Sequence, residues 1–202
     1  MTTSRIEPEA PSHRQSASAE ILGAALEQFA TAGFAGTSLQ QIADAAGYSK
    51  SSVLYHFTSK EALLEAAIGP AVDRLENVLG GLARLRESSE ARELFVEEFI
   101  DFLLEYRLEV HTFINQGQSL VGIPEIDRAN AVLGGLTSSF AAGLTTVEEK
   151  LRFGVALGGA AYELVASMNF GDEKFPHEER RSALITIVSE LLAPIQTPQT
   201  TA

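Results

Sequence analysis

With 202 residues and 45% apolar content, the chain is long enough for one or two domains around a sizeable core and too apolar to stay disordered. The absence of cysteine excludes disulfides, thiolate metal sites and thiol nucleophiles, no apolar run approaches the roughly 20 residues of a membrane span, and residues 1–20 lack the basic and apolar regions of a signal peptide, so a cytoplasmic protein with no membrane partner is expected. The net charge of −12 counts against attraction of nucleic acid by bulk charge, which leaves only contact surfaces built from well-placed groups.

Residues 1–16 mix Pro, Ser, Glu and Arg without periodicity and read as a disordered arm, in which Arg14 is the one candidate for a minor-groove contact. From Ser18, residues Ile21, Leu22, Ala25, Leu26 and Phe29 recur at helical spacing as far as Gly33, which predicts a first helix. Thr37 to Glu61 then reads as two short helices held by a tight turn. Ser38 with Gln41 fits a capping box, and Leu39, Ile42, Ala43 and Ala46 form one inner stripe. Gly47 supplies the left-handed stop, Ser49 caps the second helix, and Val53 and Phe57 face inward. The outer face of that second helix carries Lys50, Ser51, Ser52, Tyr55 and His56. A helix about 10–12 Å across fits the DNA major groove, so a helix-turn-helix stands here beside the plainer alternative of an ordinary helical hairpin.

The residues Gly33-Phe34, Thr37-Ser38, Ile42-Ala43, Ala46-Gly47, Ser49-Lys50, Tyr55-His56-Phe57 and Ser59 to Leu63 resemble the amino-terminal domain of TetR-family transcriptional regulators, over about Ala17 to Ile68. The resemblance implies base-reading roles for Gln40, Lys50, Ser51 and Ser52, and phosphate contacts from Thr37, Ser38, Tyr55, His56 and Lys60. Three positions depart from the family pattern: Ser51 stands where glycine is common, Leu54 where an aromatic often meets the backbone, and Tyr48 where a small β-branched residue is usual. Residues 1–68 hold four basic against seven acidic side chains, a net −3, and the remainder eleven against twenty, a net −9. DNA affinity therefore has to come from Lys50, Lys60 and exposed helix amino termini, and is expected to be modest and salt-sensitive.

Thr58 to Glu61 fits another capping box, opening a helix in which Gly69-Pro70 predicts a kink or break and the domain boundary. Gly80-Gly81 weakens the segment that follows. Farther on, Phe95, Phe99, Phe102 and Tyr106 form an aromatic stripe, either one wall of a ligand pocket or core packing. His111 and Asn115 belong to a polar set that either orients a ligand or faces water, and Leu133, Leu136 and Phe140 make another inward stripe behind a helix start at Pro124. Phe95, Phe99, Phe102, Tyr106, His111, Asn115 and Phe140 are the candidate pocket residues. Thr146 with Glu149 fits a third capping box, leading into a helix whose Gly154, Gly158, Gly159, Ala160 and Ala161 leave little bulk unless another backbone approaches. A last helix, about Pro176 to Ala193, has an apolar face with Leu184, Val188 and Leu191. The family resemblance implies that these two helices pair with their symmetry mates, with Gly154, Gly158, Ala161, Leu184, Val188 and Leu191 at the dimer interface. Close packing within one subunit is the alternative.

The four histidines are scattered without metal-site spacing, and no phosphate loop, dinucleotide fingerprint or nucleophile elbow occurs, so neither an enzyme nor a cofactor is expected. The expected architecture is all-α: a three-helix helix-turn-helix DNA-binding domain over residues 17–68, a larger helical ligand-binding and dimerisation domain over residues 69–193, and a disordered tail over residues 194–202. The expected function is a ligand-released repressor, binding a pseudo-palindromic double-stranded DNA operator as a homodimer and answering to an unidentified small-molecule effector. The alternative is a helical small-molecule sensor or carrier that acts through a protein partner without specific DNA binding.

Overall fold

A computed structural model describes residues 13–85, 87–140, 143–171 and 175–195, and all regular structure among them is helical. The chain divides into two compact units, Met1–Ala67 and Ile68–Ala202. Most of the expected amino-terminal arm and the tail beyond Ile195 lie outside the described residues.

In the first unit, α1 (His13–Gly36) begins five residues before the expected start at Ser18. Its backbone leaves helical geometry at Gly33 (φ 77°, ψ 158°), a conformation that favours glycine, so the sequence stop is correct although three residues continue past it. Ile21, Ala25 and Phe29 of α1 and Ile42, Ala43 and Val53 of the next two helices are fully buried and brace the unit. The helix α2 (Leu39–Ala46) carries the expected capping box, with Ser38 Oγ accepting from Gln41 N–H and the Gln41 side chain accepting from Ser38 N–H. Gly47 ends it in the left-handed region at φ 76°. Ser49 Oγ caps α3 (Lys50–His56) by accepting from Ser52 N–H.

The helix α4 (Lys60–Gly80) opens on Ser59, whose Oγ accepts from Ala62 N–H; the cap is one residue later than the Thr58 box predicts. It also runs through Pro70 without interruption. Proline removes the hydrogen bond to the Ala66 carbonyl, but Ala66 and Pro70 both lie on an exposed side of the helix, where a lost bond costs least. The helix stops instead at Gly80, followed by a short 3-10 turn, Gly81–Arg84.

The second unit adds α5 (Ser89–Glu105), α6 (Arg107–Gln116), α7 (Pro124–Ser139), α8 (Val147–Phe170) and α9 (His177–Leu192). The aromatic stripe is divided at Tyr106 (φ −104°, ψ 35°), where α5 ends and α6 begins. The capping box of Thr146 and Glu149 is present, and Gly171 closes α8 at φ 68°. Phe95, Phe99, Phe102, Phe140, Phe153, Leu164, Leu184, Val188 and Leu192 share one buried core. A bidentate pair fastens α5 to α9: Arg181 Nε and Nη2 donate to Asp101 Oδ1 at 2.5 Å and Oδ2 at 2.9 Å.

The Arg181 hydrogen bonds hold the Asp101 carboxyl below its ordinary range; burial opposes this and the Arg181 charge adds to it. A depressed folded pKa contributes stability that is present above the unfolded value and is lost as pH falls through the folded value. Asp101→Asn is therefore expected to melt below wild type at neutral pH, with the difference closing once pH drops well below about 4. A difference in melting temperature that stays constant on acidification would contradict this role.

Candidate nucleic-acid interface and ligand pocket

The exposed side of the first unit is set by the α2–turn–α3 geometry. Lys50 and Ser51 are exposed at the start of α3, Ser52 is half-buried, and Val53 is fully buried beneath them. The hydroxyls of Ser51 and Ser52 lie 2.8 and 3.0 Å from Ser49 Oγ, so the three serines form one ordered group at the helix amino terminus. Gln40 on α2 is exposed and donates from Nε2 to Asp44 Oδ1 at 2.7 Å, which leaves its own oxygen to accept. Tyr55 is 69% exposed and His56 half-buried, with the two rings edge to face at 5.4 Å. Leu54, at 42% exposure, presents an apolar group on the same outer side. Tyr48 in the turn donates to Glu20 Oε2 at 2.8 Å, tying the turn to α1, and that carboxylate bond is the main reason its phenol is raised.

Two of the residues assigned to phosphate are employed inside the unit. Thr37 is buried, and its hydroxyl donates to Gly33 O at 2.7 Å and Gln28 O at 3.1 Å; the side chain holds the end of α1 and does not reach the surface. Lys60 is half-buried, with Nζ donating to Phe34 O at 2.6 Å and Thr37 O at 2.8 Å and lying 4.2 Å from the centre of the Phe34 ring. A cation at the carbonyl end of α1 meets the negative end of the helix dipole, so Lys60 is first a strut that joins α1, the α2 cap and α4. Ser38 is exposed, with its oxygen occupied as the α2 cap.

In the second unit a cavity of about 270 Å³ lies among α4, α5, α6, α7 and α8. Of the seven candidate pocket residues, Phe99 and Phe102 line it. Phe95 stacks on Phe99 at 6.0 Å and meets Gly81, Tyr106 tilts onto Phe102 at 5.6 Å, and Phe140 packs on Phe153 at 4.6 Å. These three are core. His111 is buried elsewhere, with Nε2 2.7 Å from Asn169 Oδ1 and 3.1 Å from Asn115 Nδ2. One ring nitrogen cannot donate to one amide and accept from the other. The shorter contact to an oxygen sets Nε2 as the protonated nitrogen. His111 thus ties α6 to α8 outside the cavity, with Asn115 beside it on α6. The sequence reading missed the contributions of α4 (Ala71, Val72, Leu75) and α7 (Ile126, Ala129, Leu133), along with Glu109. Periodicity marked Leu133 as inward-facing but carried no sign of which helices leave space between them.

Residues 21–67 match the model of bacterial regulatory proteins of the tetR family. The HTH-type transcriptional regulator RutR of Escherichia coli (strain K12) is 53% identical over 53 residues, covering 26% of this chain and 25% of that protein. The amino-terminal unit belongs to the TetR family. An uncharacterised HTH-type regulator of Bacillus subtilis (strain 168), YerO, is 35% identical over 86 residues, or 41% of this chain and 30% of that protein. The chain thus spans a quarter to a third of the length of these curated relatives. The fold extends farther: the ketosteroid transcriptional regulator KstR2 of Mycobacterium tuberculosis superposes with a TM-score of 0.68 over 94% of this chain and 98% of that one, at 17% identity. The whole chain therefore has the all-α TetR-like fold.

Beyond the TetR-family domain, α8 carries an apolar stripe that nothing among the described residues covers. Val147, Leu151, Val155 and Tyr162, spaced by four, four and seven residues, are 75%, 62%, 57% and 61% exposed. Between them Gly154 and Gly158 are also exposed, and a Cβ added at either would meet no atom within 4 Å. On α9, Ile187 is 53% exposed and Leu191 shares a shallow groove with Val147, Leu151 and Val155. Three of the residues assigned to a dimer contact lie elsewhere. Leu184 and Val188 are buried in the unit's own core, and half-buried Ala161 lines the cavity, as Gly158 also does. Among the described residues no helix is long and apolar enough to cross a membrane, and no cluster of His, Asp and Glu could hold a metal ion.

Proposed function

We propose that the chain is a transcriptional regulator that binds a pseudo-palindromic operator as a homodimer and is released from it by a small molecule held in the second unit. The observation that carries this is a short capped helix, α3, seated on buried Val53 and offering Lys50 and the serine cluster to solvent within a TetR-family domain. A helix of that diameter enters a major groove, and phosphates are met by helix amino termini and Tyr55 rather than by a dense basic patch. Such a surface binds weakly alone. Two copies joined through the α8 stripe would place two such helices on one face of the duplex, and the second contact becomes intramolecular.

Release needs only that the ligand favour a dimer whose α3 helices are spaced wrongly; a preference of about 1–3 kcal/mol changes operator affinity roughly 5–150-fold. The helix α4 is the natural lever, since it begins at Lys60 and later supplies Ala71, Val72 and Leu75 to the cavity. Arg128 on α7 grips this helix from outside, bonding Asp73 at 2.6 Å and Glu76 at 2.7 Å. Repression is the sense expected of such release.

Selection of bound fragments from the source genome, followed by titration of the recovered site at low and moderate salt, tests the proposal. Saturable, salt-sensitive binding to a site with two related halves is expected. A helical carrier acting through a protein partner, a reading to which the net −3 of residues 1–68 and exposed Leu54 lend weight, would show no sequence preference. On the recovered site, Lys50→Ala should change the preference among bases of each half-site, with a cost of about 1–3 kcal/mol at the affected pair. Uniform weakening across all sequences would remove Lys50 from the reading set.

A further inference from the structure

We propose that the cavity of the second unit takes an uncharged, largely hydrocarbon molecule, and that Glu109 is the specificity residue that turns away carboxylate-bearing ones; this rests on the reading of the cavity as the ligand site. Every lining residue other than Glu109 is apolar, from Leu75 on α4 to Phe113 on α6 and Leu157 on α8. The lining thus offers no basic side chain and no side-chain hydroxyl or amide to receive a charged or strongly polar head. Transfer of an apolar molecule into it gains in proportion to the area removed from water, whereas a charged head gives up its hydration with little in return.

Glu109 sharpens this selection. It is half-buried in the first turn of α6, accepts from its own backbone N–H, and has no ion pair among the described residues. Burial pushes its carboxyl up, the bond to its own amide pulls it down, and neighbouring Glu105 raises it again. A ligand carboxylate would bring further negative charge beside Glu109, in a lining that holds no cation. An ammonium would have to shed its water for one carboxyl that is already bonded to the backbone, an exchange that at best breaks even. The volume of about 270 Å³ lies just below the range usual for drug-sized ligands, and it suits a single ring with a short chain.

The test is calorimetric titration of the full chain at neutral pH with three molecules of one shape: phenylbutanol, phenylbutylamine and phenylbutyrate. The alcohol is expected to bind at least about tenfold tighter than phenylbutyrate and tighter than the amine. Glu109→Gln should tighten phenylbutyrate by about threefold or more relative to the alcohol, and Glu109→Ala serves the same purpose if the first variant does not fold. Preference of the wild type for the amine or for phenylbutyrate overturns the proposal. So does an unchanged phenylbutyrate affinity relative to the alcohol in the variant, which would deny Glu109 the selecting role. Binding of none of the three would overturn the cavity as a ligand site, and this inference with it, while tight unselective binding would overturn this inference alone.

Discussion

Val155→Glu is expected to turn the proposed dimer into a monomer and to lower operator affinity by more than about 100-fold, while leaving the fold of each unit intact. Val155 is 57% exposed in the single chain, so the carboxylate costs nothing there. In the proposed dimer it would sit between Leu151 and Tyr162 against the same stripe of a second copy, where an unpaired charge loses its water without recompense. A C2 contact places each substitution twice, which doubles the penalty. Light scattering gives the mass, and titration of the selected operator gives the affinity. A dimer of unchanged stability would show that α8 is not the contact. Gly158 needs a different expectation, because it borders the cavity as well as the stripe. Gly158→Leu should disturb ligand binding too.

Lys60→Met is expected to destabilise the TetR-family domain by about 2–4 kcal/mol, because two charge-assisted hydrogen bonds to Phe34 O and Thr37 O are lost together and both carbonyls are left without that donor. Methionine keeps the length of the stem and its contact with the Phe34 ring, so the loss reports the ammonium. For a domain of this size the melting temperature should fall on the order of 10 °C. DNA affinity would fall as well, but the dependence of affinity on salt separates two causes. A residue whose charge neutralises a phosphate takes about one unit from the salt slope when it is removed, whereas a strut leaves the slope unchanged among the molecules still folded. The geometry predicts an unchanged slope and a lowered melt. A lowered slope with an unchanged melt would restore Lys60 to the phosphate contacts.

The two units differed in how far their sequence could be read. Helix starts at Ser38, Ser49 and Thr146, the stop at Gly47 and the inner stripe of Ile42, Ala43 and Val53 depend on residues within one or two turns of each other, and local chemistry fixes them. Pro70 shows the limit of a local rule: the cost of the missing hydrogen bond depends on the surroundings of the freed carbonyl, and Ala66 and Pro70 both lie on an exposed side of the helix. The cavity was less legible. Phe95, Phe99, Phe102 and Tyr106 share one helical stripe, yet only the middle two border open space, since that depends on helices far away in the chain. Leu184 and Val188 illustrate the same point at the proposed dimer face. An apolar face on α9 must be covered by something, but its pattern does not distinguish its own core from a second copy. The stronger sign was already in the chain, in Val147, Leu151, Val155 and Tyr162 recurring beside the glycines of α8. The polar tie of His111 to Asn169 was legible only as an undirected set of polar groups, because the partner lies more than fifty residues away.

The most direct measurement is hydroxyl-radical footprinting of the operator recovered by genomic selection, with the number of bound chains counted on the same complex. The account predicts two protected patches on one face of the duplex, centred about 34 Å or a multiple of it apart, with one chain for each half-site. A single patch held by a single chain, or no protected sequence at all, would contradict it.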